Sequence, residues 1–190
     1  MRLPCAKALR CLLAGVVLLT SAACAPSSAG SKYYKFTYST RVGQLIPVND
    51  RKPAQPFTAK RLNGGSLGLS SLHGQVVLIN FWASWCGPCT IETPQFDLVY
   101  RSMKSEGVTF VGVDTKDEGD AARSFVKTNG ISYPIVYDEP GKVAQILGNV
   151  PADLPYSMLI DKAGRVAAVY LGILSPKEIE PPLSQLSRAA

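Results

Sequence analysis

An apolar run, Val76-Val77-Leu78-Ile79-Asn80-Phe81-Trp82, leads through Ala83-Ser84 into Trp85-Cys86-Gly87-Pro88-Cys89, and then into a helix-like stretch from Thr90 to Ser105. The run reads as a buried strand. Two thiols two residues apart therefore stand at a strand-to-helix junction. A helix N-terminus offers free backbone N–H groups and a partial positive charge. A thiolate there is stabilised, so its pKa falls. Pro88 suits the first helical turn, where its missing N–H costs little. The chemistry predicts an exposed, nucleophilic Cys86 and a shielded, resolving Cys89: thiol exchange needs an attacking thiolate, a mixed disulfide and a second thiol to release it.

Cysteine usage narrows the alternatives. Of five cysteines, Cys5 and Cys11 lie in an N-terminal export signal and Cys24 at its end, which leaves Cys86 and Cys89 for the body of the chain. A zinc site would want a second pair of ligands, and the body offers only His73, which reads as a turn residue. A purely structural bridge would close a very short loop, where the chain-entropy model gives the least stabilisation. Two further readings stay open: a peroxidase, although that chemistry wants a lone cysteine, and a metal or copper chaperone using both thiols.

The N-terminal region reads as a signal. Arg2, Lys7 and Arg10 precede the short apolar stretch Cys11 to Leu19, which is too short to span a bilayer comfortably. Ser21-Ala22-Ala23-Cys24 resembles a lipobox in which Cys24 would be lipidated, with Ser21 where leucine is usual. Ala23-Cys24-Ala25 also fits an A-x-A cleavage site that would remove Cys24. The lipoprotein reading is the favoured one, and both readings export the protein. The signal supplies half of the formal charge of +6. The remainder is too small to argue for nucleic acid, and no basic stripe interleaved with aromatics is visible. The chain divides into a signal at 1–23, a tether and extension at 24–52, and a domain at 53–190.

The motif Trp-Cys-Gly-Pro-Cys resembles the active site of the thioredoxin superfamily. Val76 to Ile91, together with Leu154-Pro155-Tyr156-Ser157-Met158-Leu159-Ile160-Asp161, resembles the TlpA/ResA-like (DsbE/CcsX-type) membrane-anchored thiol-disulfide oxidoreductases over roughly residues 53 to 188. The resemblance implies an α/β thioredoxin-like fold: a mixed central sheet flanked by helices, opened by a β-hairpin at 57–69 and carrying a small central insertion with a helix at 141–147. Within the chain's own patterns, a helix at 120–129, a hairpin around Lys162-Ala163-Gly164-Arg165 and a closing helix at 176–186, interrupted by Pro181-Pro182, complete the order.

The same resemblance implies roles. Pro155 would be a cis-proline opposite the thiols, with Pro151 as its rival. Leu154, Trp85, Gly87, Pro88 and Tyr156 would form the substrate-docking surface, to which Tyr133-Pro134 would add. Asn80 replaces the buried aspartate of thioredoxin proper, as in the TlpA branch. Glu92 matches an acid of the ResA-like branch and would tune a thiol pKa or relay a proton; the competing reading is an exposed first-turn acid complementing the helix dipole. No cofactor is implied, and the protein is expected to act as a monomer. The activity implied is reduction of disulfides in exported proteins such as apocytochrome c, with electrons from a membrane carrier of the CcdA/DsbD type. The alternative is an extracytoplasmic oxidase with the same two cysteines.

Overall fold

The computed structural model describes residues 31–37, 42–138, 140–149 and 153–189. The signal, Cys24 and Pro151 lie outside the described residues.

Strand β3 (Val76–Trp82) is buried along its whole length and lies in the middle of a five-stranded sheet. On one side it runs parallel to β4 (Val108–Thr115), with Val76 opposite Val108 and Trp82 opposite Asp114. On the other it runs antiparallel to β6 (Tyr156–Ile160), with Phe81 opposite Tyr156 and Val77 opposite Ile160. β5 (Ile135–Asp138) is the edge beyond β4 and β7 (Val166–Leu171) the edge beyond β6. β1 (Thr58–Lys60) and β2 (Ser66–Gly68) form a separate antiparallel hairpin.

Helices α1 (Gly87–Met103) and α2 (Gly119–Thr128) connect β3 to β4 and β4 to β5. The two crossovers step in one direction along the sheet. Right-handed connections therefore set both helices on the same face. The alternation of β3 agrees. Val76, Leu78 and Trp82 pack with Phe96 and Val99 of α1, Val126 of α2, and Ile179 and Leu183 of α4 (Pro176–Arg188). Val77, Ile79 and Phe81 point the other way, to Tyr34, Phe57 and Val143 of α3 (Lys142–Ile146). This is the mixed, helix-flanked sheet that the motif order implies.

One difference from the sequence reading has a clear cause. α4 is not interrupted at Pro181-Pro182; it continues to Arg188. The carbonyls those prolines leave unpaired by the i−4 rule belong to Lys177 and Glu178, both exposed to water. A reciprocal Ser175–Glu178 capping box and the buried stripe Ile179, Leu183, Leu186 hold the helix. Residues 42–52, the end of the N-terminal extension, pack on the domain. Ile46 N–H donates to Ala167 at 2.7 Å, and Val166 N–H donates to Lys52 at 2.9 Å. Arg51 reaches the buried Asp161 carboxylate at 3.2 Å. No helix of the described residues is long and apolar enough to cross a membrane.

Candidate functional site

β3 ends by delivering Trp82 into the core, fully buried. The chain then turns once: the Cys86 amide donates to the Ala83 carbonyl at 3.1 Å. Cys86 is the N-cap of α1, with Gly87 and Pro88 in the first helical turn. This geometry joins Cys86 and Cys89 in a disulfide with 5.2 Å between Cα atoms. The Cys89 N–H points back at the Cys86 Sγ at 3.3 Å. A thiolate at Cys86 would occupy the position where an oxygen cap normally accepts that bond. Cys89 is wholly enclosed, and Cys86 is only 5% exposed. The freely exposed Cys86 expected from sequence is therefore corrected. In the disulfide state its sulfur is drawn against the helix start, and only an edge faces solvent.

Glu92 lies one helical turn beyond Cys89 on the buried face of α1, with no exposed surface. It is not an exposed dipole-complementing acid. One carboxylate oxygen accepts from the Asn80 amide at 2.8 Å. The other accepts from the Leu174 backbone N–H at 2.7 Å. Asn80 also donates to the Ser157 hydroxyl at 3.1 Å, so β3, α1, β6 and the loop before α4 meet at this carboxylate. Burial pushes Glu92 up to about 7, and its hydrogen bonds from Leu174 and Asn80 only partly oppose that. A group with that pKa can hold or release a proton near neutral pH.

The Leu154–Pro155 peptide bond, just before β6, is cis. The Pro155 carbonyl accepts from Gly172 N–H at 2.9 Å, which brings the loop after β7 to the site. Trp85 is 63% exposed, with its indole N–H on the Lys116 carbonyl at 2.9 Å. Gly87 and Pro88 are exposed and Leu154 is half-buried. Between Trp85 and Leu154 opens a cleft of about 210 Å³, with Lys116 and Asp153 on its walls. Tyr156 does not belong to an open docking surface. It is buried and stacked on Phe81 with ring centroids 4.2 Å apart, so it only floors the cleft. Tyr133 is likewise buried, among Tyr100 and Phe110. His73 ends a short 3-10 turn before β3, as expected.

Sequence reasoning missed Ser157 and Leu174. Leu174 acts from a loop far along the chain with no motif of its own. Ser157 alone carried a signal: a small polar residue in an otherwise apolar strand. Among the described residues, no group of three or more His, Cys, Asp or Glu side chains is placed to hold a metal ion.

Residues 51–169 match the model of the AhpC/TSA family. The chain is 33% identical over 132 residues to the thiol-disulfide oxidoreductase ResA of Bacillus subtilis (strain 168), covering 70% of this chain and 73% of that protein. It belongs to the AhpC/TSA family, among its ResA/DsbE-type thiol-disulfide oxidoreductases. ResA of Bacillus cereus (strain ATCC 10987) is 32% identical over 136 residues, covering 72% of this chain and 78% of that one. In three dimensions this ResA-type chain is similar to a DsbF homologue from Corynebacterium diphtheriae. That match has a TM-score of 0.76 and 30% identity, and covers 81% of this chain and 99% of the other. A secreted thiol-disulfide isomerase from Corynebacterium glutamicum matches with a TM-score of 0.77 and 29% identity, over 82% of this chain and 98% of that one. The fold is thioredoxin-like, and the protein is a thiol-disulfide oxidoreductase.

Proposed function

We propose that this oxidoreductase works outside the cytoplasm as a reductant of disulfides in exported proteins, apocytochrome c among them. The observation that carries the proposal is the enclosed Glu92 carboxyl, tuned to near neutrality one turn beyond the enclosed Cys89. In the reduced protein the Cys86 thiolate attacks one sulfur of a substrate disulfide. A mixed disulfide forms and one substrate thiolate leaves. Cys89 then gives its proton to Glu92 and attacks the Cys86 sulfur. The second substrate sulfur leaves as a thiolate, and the Cys86–Cys89 disulfide seen in the structure results. Two electrons have passed to the substrate. A membrane carrier of the CcdA/DsbD type returns them in reverse order, and Glu92 re-protonates the departing Cys89. Trp85, Gly87, Pro88, Leu154 and the cis-Pro155 backbone form the surface against which the substrate chain lies.

The signal at residues 1–23 and the named relatives, among them a secreted isomerase, support an extracytoplasmic site of action. Lipidation at Cys24 would hold the domain at the outer face of the membrane. Mass analysis of the membrane-extracted protein tests this: a diacylglyceryl-modified Cys24 supports it, and an unmodified N-terminus beyond Cys24 contradicts it.

A Cys89→Ser variant tests the reductive role. It should accumulate mixed disulfides through Cys86 with exported proteins bearing a cysteine pair, because the resolving thiol is gone. No adducts with such proteins in the membrane fraction would count against it. One observation favours the oxidase reading: Cys86 Sγ sits at the helix N-cap on the Cys89 N–H, which stabilises the reduced thiolate.

A further inference from the structure

The turn that presents Cys86 hangs on the loop after β4. Ser84 and Trp85 are its two inner residues, and both are held from that loop. The Ser84 backbone N–H and hydroxyl donate to the Asp117 carboxylate, the hydroxyl at 3.0 Å. The Trp85 indole N–H donates to the Lys116 carbonyl, and Lys116 itself adopts φ +54°, a conformation uncommon for a lysine. Asp117 also accepts from the Glu118 N–H at 2.7 Å. A carboxylate has about four lone-pair sites, so these three bonds leave one.

Asp114, three residues earlier in the chain, stands close to this clamp. It lies near the end of β4, opposite Trp82 in register, and is fully buried. Neither of its oxygens receives a hydrogen bond from a protein donor. The neighbouring Asp117 carboxyl acts on it through both charge and hydrogen bonding, and both push its pKa up. Two facing carboxylates in a buried setting cannot both ionise without a large cost, so a proton belongs between them.

We propose that Asp114 is a positioning residue for the redox turn: it carries a proton that it donates to Asp117, and the resulting singly charged acid pair holds Ser84, and through Ser84 the attacking Cys86, in place. Burial and the Asp117 carboxyl push Asp114 up to about 8, while the Arg123 guanidinium of α2 opposes them. The other charged groups of this surrounding are Lys116 and Glu118 in the loop itself, and Glu92 is the buried acid of α1. When the shared proton leaves, the second charge repels Asp117, and the loop lets go of Ser84 and Trp85.

The disulfide form is the clean test, because neither thiol titrates there. Trp emission is followed from about pH 7 to 9.5 in oxidised Glu92→Gln protein, which removes the buried acid of α1 that is pushed up to about 7. A transition near pH 8 is expected from Trp85 leaving Lys116. Asp114→Asn keeps an N–H donor for Asp117 but cannot ionise. It should abolish the transition while leaving the neutral-pH exchange rate within about twofold, whereas Asp114→Ala should slow exchange by about tenfold, the order of one lost hydrogen bond to a charged group. Asp117→Asn should abolish the transition as well, and it decides the matter if Asp114→Asn does not fold. A flat emission profile, or a transition that survives either asparagine variant, overturns the proposal.

Discussion

The side-chain amide of Asn80 donates a 2.8 Å hydrogen bond to the Glu92 carboxylate, and both side chains are completely buried. Asparagine at this position cannot take a proton itself. The titratable partner of this pair is on the helix, where Glu92 stands one turn past Cys89.

Glu92 leaves a signature in stability. Its folded value of about 7 lies above its ordinary 4.5. Between those values the unfolded chain has released the proton and the folded protein keeps it. The contribution is therefore most favourable below about pH 4.5 and is lost as pH rises to about 7. At 1.36 kcal/mol per pH unit the loss is about 3 kcal/mol. Urea unfolding of the oxidised protein at pH 4 and pH 8 should show Glu92→Gln gaining about 3 kcal/mol on the native protein across that span. Parallel pH curves would show that Glu92 is not a buried titrating acid.

Gly112 makes room beneath the redox turn. A Cβ there would stand 2.5 Å from Ile135 Cδ1, 3.0 Å from Trp82 Nε1 and 3.2 Å from a Tyr133 ring carbon. Gly112→Ala should cost about 1–3 kcal/mol, the usual range for overpacking a core. Because Trp82 must shift, its emission should change in the folded state as well. Denaturant midpoints and folded-state spectra check both.

Asp161 ties the N-terminal extension to the β6–β7 hairpin. Burial raises its pKa, but hydrogen bonds from the Arg165 backbone, the Arg165 side chain and Arg51 outweigh that, so the carboxyl sits below its usual value. Asp161→Ala strands the buried Arg51. A loss of about 3 kcal/mol at pH 7 is expected for breaking such a pair. The carboxylate's contribution is present above its ordinary 3.8 and disappears as pH falls through the lower folded value. The variant and the native protein should therefore converge in strong acid, which acid titration of unfolding would reveal.

Much of the site was legible because its parts are local. The run from Val76 to Trp82, the Cys86–Cys89 spacing and Glu92 one turn later all lie within seventeen residues of sequence. Periodicity and helix geometry place them without help from the rest of the chain. What the sequence hid is non-local. Leu174 reaches Glu92 through a backbone N–H, which any residue but proline could supply. The clamp of Asp117 on Ser84 depends on a loop whose course follows from the register of β4 beside β3. Tyr156 follows the cis-Pro155 directly, yet it faces Phe81, because β6 alternates its side chains and pairs it at that register.

The reduction potential of the Cys86–Cys89 pair, by equilibration with a thiol buffer of known poise, bears most directly on the proposed reductive role. A value near the thioredoxin end of the scale, about −270 mV, is predicted, with electrons flowing onward to exported disulfides. A value near the DsbA end, about −120 mV, would mean that the reduced form is the favoured one, and would make the protein an oxidase.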